Sequence, residues 1–210
     1  MGHDHDGHDH HVPIESGDAP PSYYEILEIS LRELLTEKGL ITADEHRRRI
    51  EILDGRSPAL GAKVVARAWV DPAYKKRLLK DGSAACEELG VTMYDGTRLI
   101  VLENTDKVHN FVVCTLCSCY PRPVLGLPPD WYKSRQYRSR AVSEPRAVLA
   151  EFGTVLPDDV EVRVHDSTAN MRYLVLPRRP AGTEHLDEGA LAALVTRDAM
   201  IGVTTVKGER

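Results

Sequence analysis

The 210-residue sequence lacks long apolar runs and lacks an excess of positive charge. No apolar run approaches the ~20 residues that a transmembrane helix requires, and the N-terminus has no basic segment followed by an apolar one, as a secretory signal would. The formal net charge of −5 argues against a protein that binds nucleic acid mainly by electrostatic attraction. The sequence therefore predicts a cytoplasmic protein that binds neither membranes nor nucleic acid.

The sequence also lacks the spread of cysteines that a disulfide framework shows, although four cysteines in 210 residues is ordinary usage. Three of the four cysteines, Cys114, Cys117 and Cys119, fall within six positions, whereas Cys86 stands alone. Secreted disulfide-rich domains spread their cysteines along the chain. In a reducing compartment, a tight cluster indicates metal binding or redox chemistry instead.

The composition is otherwise that of a globular protein, with 42% hydrophobic and 28% charged residues. A chain of this length can form one compact domain and an appendage. Residues 1–21 begin with alternating histidine and aspartate and are expected to form a disordered His-rich tail, which either captures metal transiently or only solubilises the chain. Residues 22–56 are expected to form a helical arm, and residues 57–210 a globular metal-binding catalytic domain.

Helical periodicity dominates the first 90 residues. Apolar residues recur at helical spacing over residues 23–38, where Ser22 can serve as N-cap and Gly39 as a stop. A second helix is predicted to continue to Gly55, because Thr42 and Glu45 have the spacing of a capping box. These two helices form the predicted arm, and further helices are predicted over residues 59–69 and 72–89.

After residue 90 the pattern changes to short runs rich in β-branched residues. Strands are predicted over residues 98–102, 108–113, 160–164, 172–176 and 200–206, and helices over residues 145–152 and 187–195. Four prolines between residues 121 and 129 predict a segment without regular structure. The cysteine cluster begins where the second predicted strand ends.

The spacing of the clustered thiols predicts a loop with converging sulfurs. Cys114, Cys117 and Cys119 cannot lie on one helix face, but a tight loop can turn all three sulfurs toward one centre. A structural zinc ion would need a fourth ligand, for which the candidates are Cys86, His109 and His165. A thioredoxin-like redox pair should open a helix, whereas this loop continues into a proline-containing segment. Three inert thiols packed as small apolar groups are the weakest alternative.

The residues that follow the cluster resemble a known family. Val113-Cys-Thr-Leu-Cys-Ser-Cys119, followed by Tyr120-Pro-Arg-Pro-Val-Leu-Gly-Leu-Pro-Pro-Asp-Trp-Tyr132, closely resembles the metal loop of nitrile hydratase α subunits. Further similar stretches lie at residues 37–40, 66–75, 103–105, 137–140, 172–177 and 196–198. The resemblance implies an α+β fold in which an N-terminal helical arm precedes a layered α/β/β/α globular domain.

The resemblance also implies a metal centre and its ligands. The sulfurs of Cys114, Cys117 and Cys119 would bind the metal together with the deprotonated backbone amides of Ser118 and Cys119, and the sixth position would take water or substrate. Cys117 would be oxidised to sulfinic acid and Cys119 to sulfenic acid. Thr115 resembles the cobalt-type loop, so that Co(III) is expected and Fe(III) is the alternative. Thiolates and anionic amides are donors that favour such a trivalent ion.

Partners and a reaction follow from the same resemblance. The site would lie at an interface with a β-type subunit or subunits, a maturation chaperone would assist its assembly, and the reaction would hydrate a small-molecule nitrile to the amide. Most relatives have tryptophan at the position of Arg122. An arginine at this position resembles the metal-binding subunit of thiocyanate hydrolase, so that thiocyanate hydrolysis is the alternative reaction. Arg122 and Asp95 are expected to line an altered pocket, suited to a bulky or heteroaromatic nitrile such as the deazapurine nucleoside toyocamycin. A cobalt-storage or delivery protein without turnover is the non-enzymatic alternative.

Overall fold

A computed structural model of the chain describes Pro20 and residues 22–94, 96–117 and 119–208. The predicted tail, apart from Pro20, and the candidate site residues Asp95 and Ser118 lie outside the described residues. The chain divides into two compact units, Met1–Ile50 and Glu51–Arg210, and the predicted domain boundaries at residues 21 and 56 stay predictions. In the described part of the chain, no helix combines the length and the apolar character needed to cross a membrane.

The described residues form eleven helices and four strands. The helices are α1 (Tyr23–Glu37), α2 (Ala43–Asp54), α3 (Pro58–Val70), α4 (Pro72–Lys80), α5 (Gly82–Glu87), α6 (Arg122–Leu125), α7 (Asp130–Lys133), α8 (Arg135–Ser143), α9 (Pro145–Glu151), α10 (Glu188–Leu194) and α11 (Arg197–Ile201). The strands are β1 (Arg98–Glu103), β2 (Val108–Val113), β3 (Glu161–Asp166) and β4 (Met171–Leu176).

Both helices of the predicted arm begin at a capping box. Glu25 N–H donates to Ser22 Oγ at 3.3 Å, and Ser22 N–H donates to Glu25 Oε2 at 2.6 Å. Thr42 and Glu45 exchange the equivalent bonds before α2, at 2.8 and 3.1 Å. These bonds satisfy backbone donors that a helix N-terminus leaves without partners. The predicted helices are confirmed, and no residue of α1 or α2, both wholly described, is buried.

Two pairs of parallel strands form the centre of the second unit. β1 pairs with β4, with Arg98 opposite Met171, and β2 pairs with β3, with Val108 opposite Glu161. Parallel strands place their carboxyl ends at the same edge. The chain that leaves β2 at Val113 therefore starts beside the chain that leaves β3.

Apolar faces of helices and strands enclose the core of this unit. Phe111 of β2 and Leu174 of β4 are fully buried. α3 packs against α6 and α10, and α4 and α5 pack against β1. The loop after β2 therefore starts from a strand whose last three residues, Phe111, Val112 and Val113, are buried in this core.

Two predicted segments differ from the structure, one predicted as a single helix and one predicted to lack regular structure. The single helix predicted over residues 72–89 is wrong, because Asp81 ends α4 and its carboxylate accepts the Ala84 N–H at 3.1 Å, which caps α5. The proline-rich segment predicted to lack regular structure contains α6 and α7. Pro123 lies in the first turn of α6, where a proline loses no helical hydrogen bond.

The last predicted strand, over residues 200–206, is also wrong. Met200 and Ile201 belong to α11, and Gly202 ends that helix with a φ of +93°. Thr196 caps α11 by accepting the Ala199 N–H at 3.2 Å. The β-branched residues after Gly202 thus follow a helix terminus and pair with no strand among the described residues.

Candidate metal centre

The cysteine loop starts at the carboxyl end of β2. Cys114 directly follows Val113, the last residue of the strand. The Val113 carbonyl accepts a hydrogen bond from the Ser167 N–H at 2.8 Å, where the chain leaves β3. The beginning of the loop is thereby fixed to the neighbouring strand.

The three clustered sulfurs converge. Cys114 Sγ lies 3.3 Å from Cys117 Sγ, and Cys117 Sγ lies 3.1 Å from Cys119 Sγ. All three sulfurs lie within 4.8 Å of one another, and no second group of three potential ligands converges in this way among the described residues. The Cys117 N–H points at Cys114 Sγ, with an N to S distance of 3.4 Å. The loop therefore has the shape that sulfur ligation of a single ion requires.

Electrostatics show what would stabilise the cluster. Cys114 is buried, Cys119 is partly buried and Cys117 is exposed. Burial, followed by hydrogen bonds with the neighbouring thiols, raises the pKa of Cys119 to about 12, against a smaller opposing effect of Arg172. Three thiolates this close would repel one another, so that ionisation needs a cation between them. Sulfur donors select thiophilic transition metals, and these residues fit such an ion.

Two charged side chains from outside the loop bind its backbone. The Asp166 carboxylate accepts hydrogen bonds from the Thr115 N–H, at 2.9 Å, and from the Thr115 hydroxyl. Arg138 Nη1 of α8 donates to the carbonyl oxygens of Thr115 and Cys117, at 3.3 and 3.4 Å. An acid at the end of β3 and a base on α8 thus hold the same short segment.

Buried tyrosines support the loop from beneath. The Tyr132 hydroxyl donates to the Cys119 carbonyl at 2.9 Å, and the Tyr137 hydroxyl donates to the Val112 carbonyl at 2.7 Å. Burial raises the pKa of both Tyr132 and Tyr137, so that both hydroxyls remain protonated donors. The Tyr120 and Tyr132 rings pack edge to face, with centroids 5.1 Å apart.

An open cleft of about 320 Å³ adjoins Cys117 and Cys119, the two cysteines of the cluster that solvent reaches. Its lining residues are Tyr94, Cys117, Cys119, Tyr120, Arg122 and Arg172. The structure places Arg122 in this cleft, next to the sulfurs. Two arginines and no carboxylate line it among the described residues, so that the cleft carries positive charge.

Sequence reasoning did not assign Tyr94 and Arg172 to the site. Arg172 lies in β4, where the alternating pattern predicted only a strand, and its guanidinium donates to the Ala169 carbonyl at 3.0 Å. Tyr94 belongs to no motif, and Arg56 donates to its hydroxyl. The only usable signal was the family-like stretch over residues 172–177.

The other candidate zinc ligands do not join the thiol cluster. Cys86 is buried in α5, and burial raises its pKa to about 12. His109 Nε2 lies 2.7 Å from the Gly202 carbonyl, and His165 Nε2 lies 2.9 Å from Asn110 Oδ1. Among the described residues, the structure therefore does not assemble a zinc site with four protein ligands.

The fold and the loop together define a class of protein. It is an α+β chain that carries a candidate metal centre of three thiols where a parallel strand ends. Over residues 22–204 the chain matches the family model described as nitrile hydratase, alpha chain. It therefore belongs to the nitrile hydratase α-chain family, and the predicted family resemblance is confirmed.

Individual relatives agree with this assignment. The chain is 54% identical over 197 residues to the low-molecular weight cobalt-containing nitrile hydratase subunit alpha of Rhodococcus rhodochrous, covering 92% of this chain and 95% of that protein. It is 47% identical over 197 residues to the thiocyanate hydrolase subunit gamma of Thiobacillus thioparus, covering 89% and 81%. A structure of recombinant thiocyanate hydrolase with partially modified cobalt centers matches with a TM-score of 0.82 at 45% identity, covering 90% of this chain and 92% of that one. The predicted fold class is confirmed.

Proposed function

We propose that the chain is the metal-carrying catalytic subunit of a nitrile hydratase, which hydrates a nitrile to the amide. One observation carries the proposal: three sulfurs converge beside an open cleft in a chain of this family. Low-spin Co(III) would be held by the sulfurs of Cys114, Cys117 and Cys119 and by the backbone amides of Ser118 and Cys119. The cobalt-containing relative at 54% identity supports cobalt over the alternative Fe(III).

The position of the cleft supports this reaction. When bound, the metal would supply a Lewis acid that polarises the carbon–nitrogen triple bond. Cys114 lies on the buried side of the cluster, whereas Cys117 and Cys119 border the cleft. A substrate would therefore approach from the cleft, on the side of the Cys117 and Cys119 sulfurs. Arg122 and Arg172 can orient it there.

Oxidation of Cys117 to sulfinic acid and of Cys119 to sulfenic acid is part of the proposal. The exposure of the three sulfurs supports this selectivity, because Cys117 is exposed and Cys119 partly exposed, while Cys114 is buried. Oxidation of cysteine follows solvent access as well as thiolate character. We expect Cys114 to keep an unmodified sulfur.

A bulky or heteroaromatic nitrile is the proposed substrate class. Tyr94 forms one wall of the open cleft, and the Arg56 guanidinium lies 4.6 Å from the centroid of its ring. Cation stacking and the hydrogen bond from Arg56 hold this ring in place. A fixed aromatic wall offers a stacking surface to a flat heterocycle.

Thiocyanate hydrolysis is the second candidate, because the cleft is cationic. Thiocyanate is an anion, and the two arginines that line the cleft would attract it. The relative named thiocyanate hydrolase subunit gamma is 47% identical to this chain. Replacing the cleft arginine in Arg122→Trp should lower kcat/KM for thiocyanate more than for a neutral nitrile.

A β-type subunit and a maturation chaperone are the proposed partners. Leu116 at the tip of the metal loop is 91% exposed, which leaves a large apolar side chain in water beside the candidate ligands. A partner that covers the loop would remove this side chain from water and close the cleft. The relative from Rhodococcus rhodochrous is itself named as a subunit.

The test is to co-express the chain with a β-type subunit in cobalt-supplemented medium and to measure metal content, intact mass and turnover. We expect about one cobalt per chain, three added oxygen atoms over Cys117 and Cys119, and nitrile hydration. Cys114→Ser should lose the metal, and the matched control Cys86→Ser should retain it, because Cys86 is buried in α5 away from the cluster.

Three outcomes would contradict the proposal. Stoichiometric zinc without turnover would replace it with a structural site. Bound cobalt without turnover of either nitrile or thiocyanate would favour a cobalt-storage or delivery protein. Turnover of thiocyanate in preference to every nitrile tested would select the second candidate.

A further inference from the structure

Thr115 is held at each of its polar groups by side chains from outside the loop. Its N–H and hydroxyl donate to the Asp166 carboxylate, at 2.9 Å for the N–H. Its carbonyl accepts from Arg138 Nη1 at 3.3 Å. The same nitrogen reaches the Cys117 carbonyl at 3.4 Å. The segment between the first two sulfurs is therefore fixed from two sides.

Arg138 does not owe its position to an ion pair. No carboxylate in the described part of the chain lies within salt-bridge distance of it, and its buried Nε has no hydrogen-bond partner. A buried donor without a partner is costly. Arg140, two residues along the same helix, instead pairs with Glu144 and Glu151. The polar contacts of Arg138 are thus directed at the loop. Its unpaired Nε carries a free-energy cost of desolvation that Arg140 avoids.

From these contacts we infer that Asp166 and Arg138 are positioning residues that preorganise the thiol loop before metal enters. The inference rests on the proposed metal centre. A flexible loop would lose conformational freedom when its three sulfurs gather around one ion, and that loss weakens binding. A loop held at Thr115 by Asp166 and Arg138, the two clamp residues, has already lost this freedom on folding. The 3.3 Å separation of Cys114 Sγ and Cys117 Sγ is the geometry that the clamp maintains.

The two clamp residues come from elements of different kinds. Asp166 is the last residue of β3 and reaches the loop because β2 and β3 run parallel and end together. Arg138 lies on α8, whose Tyr137 also donates to the Val112 carbonyl at 2.7 Å. Loss of one residue therefore leaves the loop attached at the other, and single substitutions should loosen the loop without unfolding the chain.

The test compares Arg138→Gln and Asp166→Asn with the matched controls Arg140→Gln and Asp159→Asn. Asp159 is an exposed acid whose ion-pair partner is Lys107, away from the loop. In protein co-expressed with a β-type subunit and loaded with cobalt, the cobalt is first reduced to exchange-labile Co(II) with dithionite, and the rate of its release to an excess of chelator is followed by the sulfur-to-metal absorption band. Release should be about 10- to 100-fold faster in both clamp variants. The controls should release cobalt at the wild-type rate.

A second readout needs no metal. Hydrogen exchange of the metal-free full chain, followed by mass spectrometry, should be faster over residues 114–119 in both clamp variants and unchanged in the strands. Arg138→Lys should give an intermediate rate, because it retains a positive donor but loses the planar guanidinium.

The outcomes separate the clamp from the proposed function. Wild-type release and wild-type loop exchange in clamp variants that keep their circular dichroism and melting temperature would overturn the inference. Wild-type protein that binds cobalt without turnover would refute the proposed reaction, while the release rates still judge the clamp. If the wild type binds no cobalt, loop exchange in the metal-free chain decides alone.

Discussion

His109 shows how the fold sets the chemical state of a single side chain. Its Nε2 lies 2.7 Å from the Gly202 carbonyl and therefore carries the proton. Its Nδ1 accepts from Asn104 Nδ2 at 3.3 Å. Asn104 Oδ1 in turn accepts the Asn110 N–H at 2.7 Å. Each partner of the buried imidazole suits the neutral form, and protonation of Nδ1 would place two donors against each other.

This arrangement predicts a pH-dependent stability. Burial lowers the pKa of His109 from 6.5, against a smaller opposing effect of the bond to Gly202. Between the folded pKa and 6.5 the unfolded chain binds more protons, so that stability is fully present above pH 6.5 and falls as the pH falls through this window. One proton contributes a slope of at most about 1.4 kcal/mol per pH unit. His109→Gln should flatten the slope of unfolding free energy against pH, measured by urea denaturation.

His165 offers the comparison for this experiment. It is only partly buried, and burial, then the positive charge of Arg163, lowers its pKa as well. His165→Gln should therefore flatten the slope less than His109→Gln does. An unchanged slope in His109→Gln between pH 5 and 7 would show that the imidazole titrates alike in the folded and unfolded chains.

At the residue scale, the sequence predicted the part of the site that lies within one short segment. The spacing of Cys114, Cys117 and Cys119 restricts where their sulfurs can point, and the structure brings them together. Asp166 and Arg138 could not be found in this way. They lie 51 and 21 residues from their loop contacts, and only the β2 and β3 register and the packing of α8 bring them close.

At the scale of elements, Gly202 at the end of α11 has less room for a side chain than any other glycine of the described residues. Gly202 has a φ of +93°, and a Cβ placed on it would lie 2.2 Å from the Asn110 carbonyl oxygen and 2.7 Å from Phe111 Cα. Both contacts are with the backbone of β2, the strand that leads into the cysteine loop. Glycine is needed here for its conformation and for the close approach of the two chains.

Gly202→Ala should therefore destabilise the chain by roughly 2–4 kcal/mol, since backbone strain and overpacking act together. Gly182→Ala is the matched control, because Gly182 has a φ of +80° but a Cβ there would meet nothing within 4 Å. Gly182→Ala should lower the free energy of unfolding only by the cost of a left-handed backbone conformation, about 1–2 kcal/mol. Equal losses in urea denaturation would mean that β2 yields to the added methyl group.

The errors in the predicted elements have a common physical origin. The prolines around α6 predicted a loop from local pattern alone, and the β-branched residues after Gly202 predicted a strand. Capping by Asp81 and Thr196 and the close approach of Gly202 to β2 determined the outcome instead. Long periodic helices such as α1, by contrast, were predicted because periodicity and a capping box agree.

At the scale of the whole molecule, the exposed face of α1 is the main argument for a partner. Leu27, Leu31 and Leu34 occupy one face at helical spacing and are 49%, 54% and 46% exposed. Burying this apolar stripe against a partner would remove its surface from water and so contribute favourable free energy to binding. We expect a β-type subunit to cover this face, and the isolated chain to show little turnover.

Leu31→Asp should weaken binding of the β-type subunit at least about tenfold, because it places a charge in the middle of the apolar stripe. Its melting temperature as an isolated chain should stay unchanged, since the side chain is exposed there. Glu33→Ala is the control: it lies two residues along α1, about 200° around the helix axis, and should leave the affinity unchanged. Titration calorimetry against the separately purified β-type subunit measures both affinities. Equal affinities for Leu31→Asp and the wild type would exclude this face of α1 from the interface.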